Sequence, residues 1–393
     1  MQYLYKVSVV LERSKMRLFL IFFGLGLVAF AQQQQPIVTT AVPFLSIASD
    51  ARSSGMGDVG IASSPDAFSM QWNPAKYVFL DSERGVGLGY TPYLESIISD
   101  IALLSGYYYK KPNERSSFAV GLRYFTIGEI ELRQFASDPG MITKPNEIAI
   151  DGSYALKLSP RFSMAVTGRY IRSNLKFPQE ASIDSKAASS VAVDLSAFYL
   201  GTPKSYPGFD GRWRWGFNLS NLGPKIAYDA SGQEDFLPAN LGIGLGYDFI
   251  YGPQSSLAIQ LDINKYLVPT PEDYNEDGRI DQADFNEFQS KDFISGIFDS
   301  FSDGPEGFAD ELKELRIGLG MEYSIRQIFA IRTGYFTEAE RSGSRQFFTI
   351  GSGVSLKSFQ IDLSYLFSTS NVRNPLENTL RFSLSFQLNS PKN

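Results

Sequence analysis

Residues 380–389 read LRFSLSFQLN. In an extended chain Leu380, Phe382, Leu384, Phe386 and Leu388 fall on one side, and Arg381, Ser383, Ser385, Gln387 and Asn389 on the other. A continuous apolar face opposite a polar one of the same length suits a strand between an apolar medium and a wet interior. The pattern recurs. Trp213, Trp215, Phe217 and Leu219 alternate with Arg212, Arg214, Gly216 and Asn218; Leu257, Ile259, Leu261 and Ile263 alternate with Ala258, Gln260, Asp262 and Asn264. Ile361, Leu363, Tyr365 and Phe367 form another such face. Segments of this kind are read at 85–94, 98–110, 117–133, 147–158, 162–175, 190–201, 212–223, 239–250, 256–268, 313–326, 328–338, 346–357, 359–369 and 379–389, fourteen in all. Crossing the hydrocarbon layer at a tilt takes about 9–11 residues, so each is long enough. An open sheet edge in lipid would leave backbone groups unpaired, so the strands must close. The expected fold is an all-β, antiparallel, fourteen-stranded transmembrane barrel over 85–389. A soluble sandwich would explain the alternation, but needs neither such long strands nor so many outward aromatics. Apart from the first, the odd-numbered connections are long and the even-numbered ones mostly short, as in barrels with short periplasmic turns and longer outer loops.

The start of the chain fits an exported protein. Lys15-Met16-Arg17 is followed by the apolar run LFLIFFGLGLVAF, Ala31 and then QQQQ. This is a basic, apolar and small-residue sequence of signal-peptide type, with Ala29 and Ala31 at −3 and −1 of a cleavage site. Residues 1–31 are therefore read as a signal peptide, with Met1 or Met16 as the start. The formal charge of −6 becomes −9 without the net +3 of that segment. A strongly acidic exported chain is a poor partner for nucleic acid. Cysteine and histidine are both absent, which removes disulfides, thiolate chemistry, the usual zinc ligands and the commonest neutral-pH base. No serine can have a histidine partner, and no catalytic constellation stands out; the chain reads as a non-enzyme.

Residues 32–84 precede the first strand and lack its alternation. They contain Gly55, Gly57 and Gly60, a short helix start at Pro65-Asp66-Ala67-Phe68, and the turn Asn73-Pro74. The clustering of Phe68, Trp72 and Tyr77 suits a plug, or hatch, folded into the periplasmic mouth of the barrel. The run ARSSGMGDVGIASSPDAFSMQWNPAKYVF (51–79) resembles the N-terminal signature of the PorV family, outer-membrane proteins of the type IX secretion system of Bacteroidetes. The PorQ sibling shares enough of it to stay open. More distantly, the GMG and WNPA elements resemble FadL-like barrels, which have fourteen strands and an N-terminal hatch. The resemblance implies a non-enzymatic carrier in the outer membrane. Such a carrier works beside the translocon barrel, takes cargo proteins by their C-terminal signal domains, and delivers them to a surface attachment complex with a sortase-like protein. The rival reading is a FadL-like channel for small hydrophobic molecules.

The longest connection, 269–312, is read as an extracellular insertion. It opens with DYNEDGRIDQAD at 273–284. Oxygen ligands fall at loop positions 1, 3, 5, 9 and 12 (Asp273, Asn275, Asp277, Asp281 and Asp284), with Arg279 offering its carbonyl at position 7. Gly278 stands where the turn needs it and Ile280 where an apolar residue packs. This is an EF-hand-like arrangement with Asp in place of the last, bidentate Glu, and it predicts a structural Ca2+ ion. Extracellular modules work at about 10⁻⁴–10⁻³ M, so a modest site would serve as a brace. For a carrier, contacts to cargo or partner are expected in 134–147, 174–189, 224–238 and 285–312, with Tyr228, Phe236, Phe293 and Phe298 as candidates. Outer-membrane lipid would meet the barrel wall.

Overall fold

The computed structural model describes residues 39–94, 100–133, 140–175, 187–228, 234–275, 277, 280–303, 307, 311–339, 342–370 and 374–388. The signal-peptide reading of 1–31 lies outside them. Fourteen long strands run antiparallel: β1 Arg84–Pro92, β2 Ala102–Asn113, β3 Ser116–Thr126, β4 Asn146–Ser159, β5 Phe162–Asn174, β6 Ala188–Leu200, β7 Phe209–Leu222, β8 Asn240–Ile250, β9 Ser255–Tyr266, β10 Arg316–Ile325, β11 Phe329–Glu338, β12 Gln346–Leu356, β13 Phe359–Ser368 and β14 Leu380–Leu388. Each pairs with its sequence neighbours, and β1 pairs with β14 from Arg84↔Leu388 to Tyr90↔Phe382, so the sheet closes. No helix among the described residues is long and apolar enough to cross a membrane; the strands make the crossing.

The wall is inverted relative to a soluble protein. On β3, Phe118, Val120, Leu122 and Tyr124 face outward and exposed, whereas Ala119, Arg123 and Phe125 face inward and buried. Trp213 is 59% exposed while its neighbour Arg214 is fully buried. Lipid rewards the first set, and only the lumen can solvate or pair the second.

Turns β2–β3, β4–β5, β8–β9, β10–β11 and β12–β13 are short, and the opposite end carries the long loops. The first long-side connection spans residues 93–101, not 95–97. Leu94 and Ile101 leave the wall and pack, with Tyr93, at the outer mouth, so their apolar character had extended both strands too far. β3 stops at Thr126 because Gly128 turns the chain at φ +78°. The residues beyond form a separate small hairpin, Ile130–Leu132 with Met141–Thr143. Two further short pieces, Ile226–Ala227 with Glu234–Asp235 and Lys204–Tyr206 against β7, are too brief to show periodicity.

Residues 43–80 lie inside the barrel and run its whole height, rather than occupying the periplasmic mouth alone. At the outer end Val42, Phe44, Leu45 and Ile47 pack with Phe125, Phe336, Phe347 and Leu366. At the other end Ala75 and Val78 meet Ala155, Ala165 and Phe198. Between them are the one-turn helices α1 Ala51–Ser54 and α2 Ser69–Trp72; Ala75 and Val78 belong to the 3-10 turn Pro74–Phe79.

Candidate functional site

Two places combine order with unusual chemistry: the hatch–lumen contact and the outer insertion. In the lumen, Arg52 forks both ways. Its Nε and Nη2 donate to the two oxygens of Glu322 at 2.9 and 2.8 Å, and its Nη1 reaches Asp66 at 2.7 Å. Glu322 also holds Arg332 Nε at 2.6 Å, and Arg332 Nη1 reaches Asp362 at 2.8 Å. A guanidinium serves two carboxylates at once because its donors are planar and diverge. Asp262 Oδ2 accepts the amides of Gly60 and Ile61 at 2.7 and 2.9 Å. Asn73 Nδ2 donates to the carbonyls of Ile61 and Ala197, and Lys76 Nζ to the Gly60 carbonyl and Ser63 Oγ. Asp58 meets Arg381 at 3.1 Å. A second network ties Arg169 to Asp151 at 2.5 Å and Asp194 at 2.8 Å. Arg212 and Arg214 share Asp248.

The signature run is therefore the hatch itself, and its residue types follow from contact with the wall. Gly57 has φ +74°, and a Cβ there would stand 2.8 Å from the Tyr335 backbone. Across the same contact, Gly334 lies so near Met56 that a Cβ would meet its carbonyl carbon at 2.0 Å. Asp50 caps α1 by accepting Ser53 N–H at 2.7 Å and also accepts Trp72 Nε1–H at 2.7 Å.

Between β9 and β10 the outer insertion forms two helices, α3 Gln282–Ser290 and α4 Phe293–Asp299. The EF-hand-like stretch is described only in part; Gly278 and Arg279 lie outside the described residues. Asp273 Oδ1 and Asn275 Oδ1 converge on the Asp277 amide at 3.1 and 2.9 Å, as the first turn of a cation loop requires. Asp281 caps α3 by accepting Ala283 N–H. Asp284 spends its carboxylate on backbone amides: Oδ1 accepts those of Tyr274 and Asn275, and Oδ2 that of Asp281. The first half of the loop fits a cation. The short last carboxylate acts as the second half of a capping box.

A different acidic group lies at the foot of the insertion. Carboxylate oxygens of Asp303, Glu311 and Glu314 lie within 4.8 Å of one another and could hold a metal ion. Lys265 Nζ already contacts Glu311 at 2.9 Å and also Glu314. Asp303 Oδ2 accepts the Thr270 amide at 2.5 Å. Burial, with Glu314 and Glu311 adding to it, pushes the Asp303 carboxyl up to about 7. The cluster was not legible in sequence, because Lys265 ends a strand and its partners lie more than forty residues on.

Of the four apolar candidates, only Phe298 presents itself, at 71% exposure. Phe236 is a correction: at 4% exposure it packs on Phe288, under the Lys225 ammonium at 4.3 Å, and against Gly296. Phe293 is half-buried against the same cluster, and Tyr228 half-buried against the outer-mouth core. Ile294, Phe301 and Leu312 join Phe298 as exposed apolar residues of the insertion, at 54, 49 and 52%. Among the regions read as contacts, 134–139, 176–186, 229–233, 304–306 and 308–310 lie outside the described residues.

A closed barrel with an apolar wall, a paired-charge lumen and an N-terminal segment packed inside it defines an outer-membrane barrel of the FadL-like fold. The TodX deltaS2S3 mutant monoaromatic hydrocarbon channel superposes with a TM-score of 0.50 at 11% identity, covering 86% of this chain and 98% of that one. The toluene transporter TbuX of Ralstonia pickettii gives 0.46 at 11%, covering 86% and 97%. A FadL homologue of Pseudomonas aeruginosa gives 0.43 at 12%, covering 90% and 99%. Likeness at such identity speaks for the fold alone. No curated protein matches the chain. The family model described as type IX secretion system protein PorV matches residues 30–273, more than half of the chain. The chain belongs to that family: it is a non-catalytic outer-membrane barrel with a role in type IX protein secretion.

Proposed function

We propose that the protein is a carrier that binds cargo C-terminal signal domains at the outer membrane and passes the cargo from the translocon barrel to the sortase-like attachment complex at the cell surface. The observation that carries this reading is the ordered apolar surface outside the membrane. Ile294, Phe298 and Phe301 recur at helical spacing on and just after α4, on an insertion held by its own small core. Exposed aromatic residues on a braced element are what a protein partner can use. The hatch, bonded to the wall along its length, directs function to the outer face rather than through the lumen.

In the same reading a Ca2+ ion braces the insertion, held by Asp273, Asn275 and Asp277, with Asp281 and the Arg279 carbonyl completing the set. Asp284 would contribute only by giving up its cap of α3. When bound, the ion supplies charge neutralisation to this acidic turn and fixes the entry to α3. Terbium luminescence of Asp277→Ala against the parent protein tests it: equal emission from both would sink the site.

Affinity purification of the tagged protein from its own outer membrane in mild detergent, followed by mass spectrometry, tests the carrier. Co-purification of a giant barrel, a sortase-like protein or secreted proteins sharing a C-terminal domain is expected, with reduced cargo for a deletion of 273–284. A barrel that comes alone and carries a small apolar molecule would instead establish the channel.

A further inference from the structure

Over β7–β9 the lipid-facing wall carries a hollow of about 400 Å3, lined by Trp213, Leu245, Tyr247, Phe249, Ile259 and Leu261. Gly211 makes room for it. A Cβ there would stand 1.9 Å from the Tyr247 hydroxyl oxygen, so that ring leans across Gly211 toward β7 and away from Ile259, its partner on β9. Trp213 meets the tyrosine edge-on at 4.6 Å. Gln260, at the floor, turns its amide inward to Met56 Sδ at 3.4 Å. A peptide laid in this hollow would strand its amides in an apolar setting, whereas a hydrocarbon chain loses nothing there. Phe249 is the last residue but one of β8, so the hollow reaches the periplasmic border.

The charge at that border has the opposite sign to the chain as a whole. The formal charge is −6, yet the turns between strands at the periplasmic end carry Arg115, Arg161, Lys204, Arg326 and Lys357 against Glu114 alone. Every residue of these turns is described, and all six charged ones are exposed. Arg161, Lys204 and Arg326 flank the hollow. Leu200 donates its amide to the Arg161 carbonyl at 2.8 Å, and Gln327 ties the turn of Arg326 to the Pro253 carbonyl at 2.8 Å. Lys204 is placed by register: it pairs with Gly211, and Tyr206 pairs with Phe209. Tyr206 stacks on Phe209 at 5.3 Å, and Phe209 meets Phe249 at 5.3 Å. Residues two apart share a face, so Lys204 stands on the lipid side beside the hollow. Asp210 and Asp248 fall on the other face, where Arg212 and Arg214 hold Asp248. Asp81 and Glu83 precede β1, half the barrel away from β8, and residues 389–393 contain no carboxylate side chain.

We propose that β7–β9 and the 201–208 turn form a site for one anionic phospholipid of the periplasmic leaflet, with an acyl chain in the hollow and the phosphate at Lys204, in the field of Arg161 and Arg326. Lipid tails are as apolar as the wall, so a chain entering the hollow gains fit rather than shelter from water. Selectivity therefore belongs to the headgroup, whose negative charge the basic turns attract. The inference rests on the barrel's place in the membrane and not on the carrier reading.

The test uses the full-length protein in nanodiscs of equimolar phosphatidylethanolamine and phosphatidylglycerol. Trp215→Phe leaves Trp213 as the tryptophan of the lipid face, since Trp72 is held in the lumen by Asp50. Acyl-brominated phosphatidylglycerol should quench Trp213 with an association constant at least about fivefold above that of brominated phosphatidylethanolamine, and Lys204→Gln should lower that preference about fivefold, as loss of one basic residue near the surface does. In the unaltered protein, phosphatidylglycerol with a diazirine in its acyl chain should label residues 245–261, and excess phosphatidylglycerol, but not phosphatidylethanolamine, should compete. That arm keeps the test valid if either variant fails to fold. Equal quenching by the two lipids, an unchanged preference in Lys204→Gln, or labelling spread evenly round the wall would each overturn the proposal. Native outer-membrane vesicles in which 245–261 alone escapes the photolipid would overturn it too, by giving this face to a protein partner. None of these outcomes alters the co-purification test, so the two readings fail separately.

Discussion

Arg52 shows what a single residue does in this lumen. It is 6% exposed and neutralises Asp66 and half of the Glu322 charge while satisfying five acceptors, two of them on Ser64. Removing one partner of a buried ionic group leaves the others uncompensated, at a cost of about 3–5 kcal/mol. Arg52→Met should therefore lower the barrel's urea midpoint and make the hatch protease-sensitive; an unchanged midpoint would show the lumen to be wetter than its burial suggests. Asp303 offers a pH-dependent case outside the membrane. Its folded carboxyl titrates near 7, above its ordinary value of 3.8, so the folded state holds a proton that the unfolded state has lost. The stabilising contribution is present at low pH and is lost as pH rises through about 7. Limited proteolysis of the insertion in chelator should thus be slower at pH 5 than at pH 8, and Asp303→Asn should flatten the difference.

At the scale of elements, the strands are governed by their lipid-facing residues. Val120 is 55% exposed and central on β3; Val120→Arg should cost about 2–4 kcal/mol in a refolding titration, as charge at the bilayer midplane does. If the loss were negligible, Val120 would have to lie near an interface. This dependence is also why the strands were legible: Trp213, Trp215 and Phe217 announce a lipid face through local alternation alone. What alternation marks, however, is orientation rather than partnership. Arg169 and Asp194 are both legible as lumen-facing, but their pairing comes from the register of β5 on β6, which no single segment contains. The insertion was legible in the opposite way. The spacing of 273–284 drew attention to a loop, whereas Asp284 turned out to cap α3 and the convergent carboxylates lay at 303, 311 and 314. Phe236 was misjudged because an aromatic residue in an outer loop reads the same whether it forms the loop's core or its surface.

For the whole molecule, the hatch decides whether the barrel is a pore. Wall glycines 89, 216, 318, 320 and 334 let the hatch backbone approach closely, and Gly334 has no room for a methyl group beside Met56. Gly334→Ala should push the 55–60 turn away from the wall. In planar bilayers it should raise the open-channel conductance over the parent protein, while heat-modifiability shows the barrel still closed. Equal conductance would mean that the hatch shifts without opening a path.

The seam between β1 and β14 bears on how such a molecule is made. It joins residues 84–90 to 382–388, and the hatch, synthesised first, touches that late strand through Ala51–Ser383 and Asp58–Arg381. These are contacts of more than three hundred residues' separation, whose loop-closure entropy is paid before they return anything. The barrel cannot close around the hatch before its last strand is made, so closure at this seam waits on the C-terminal residues.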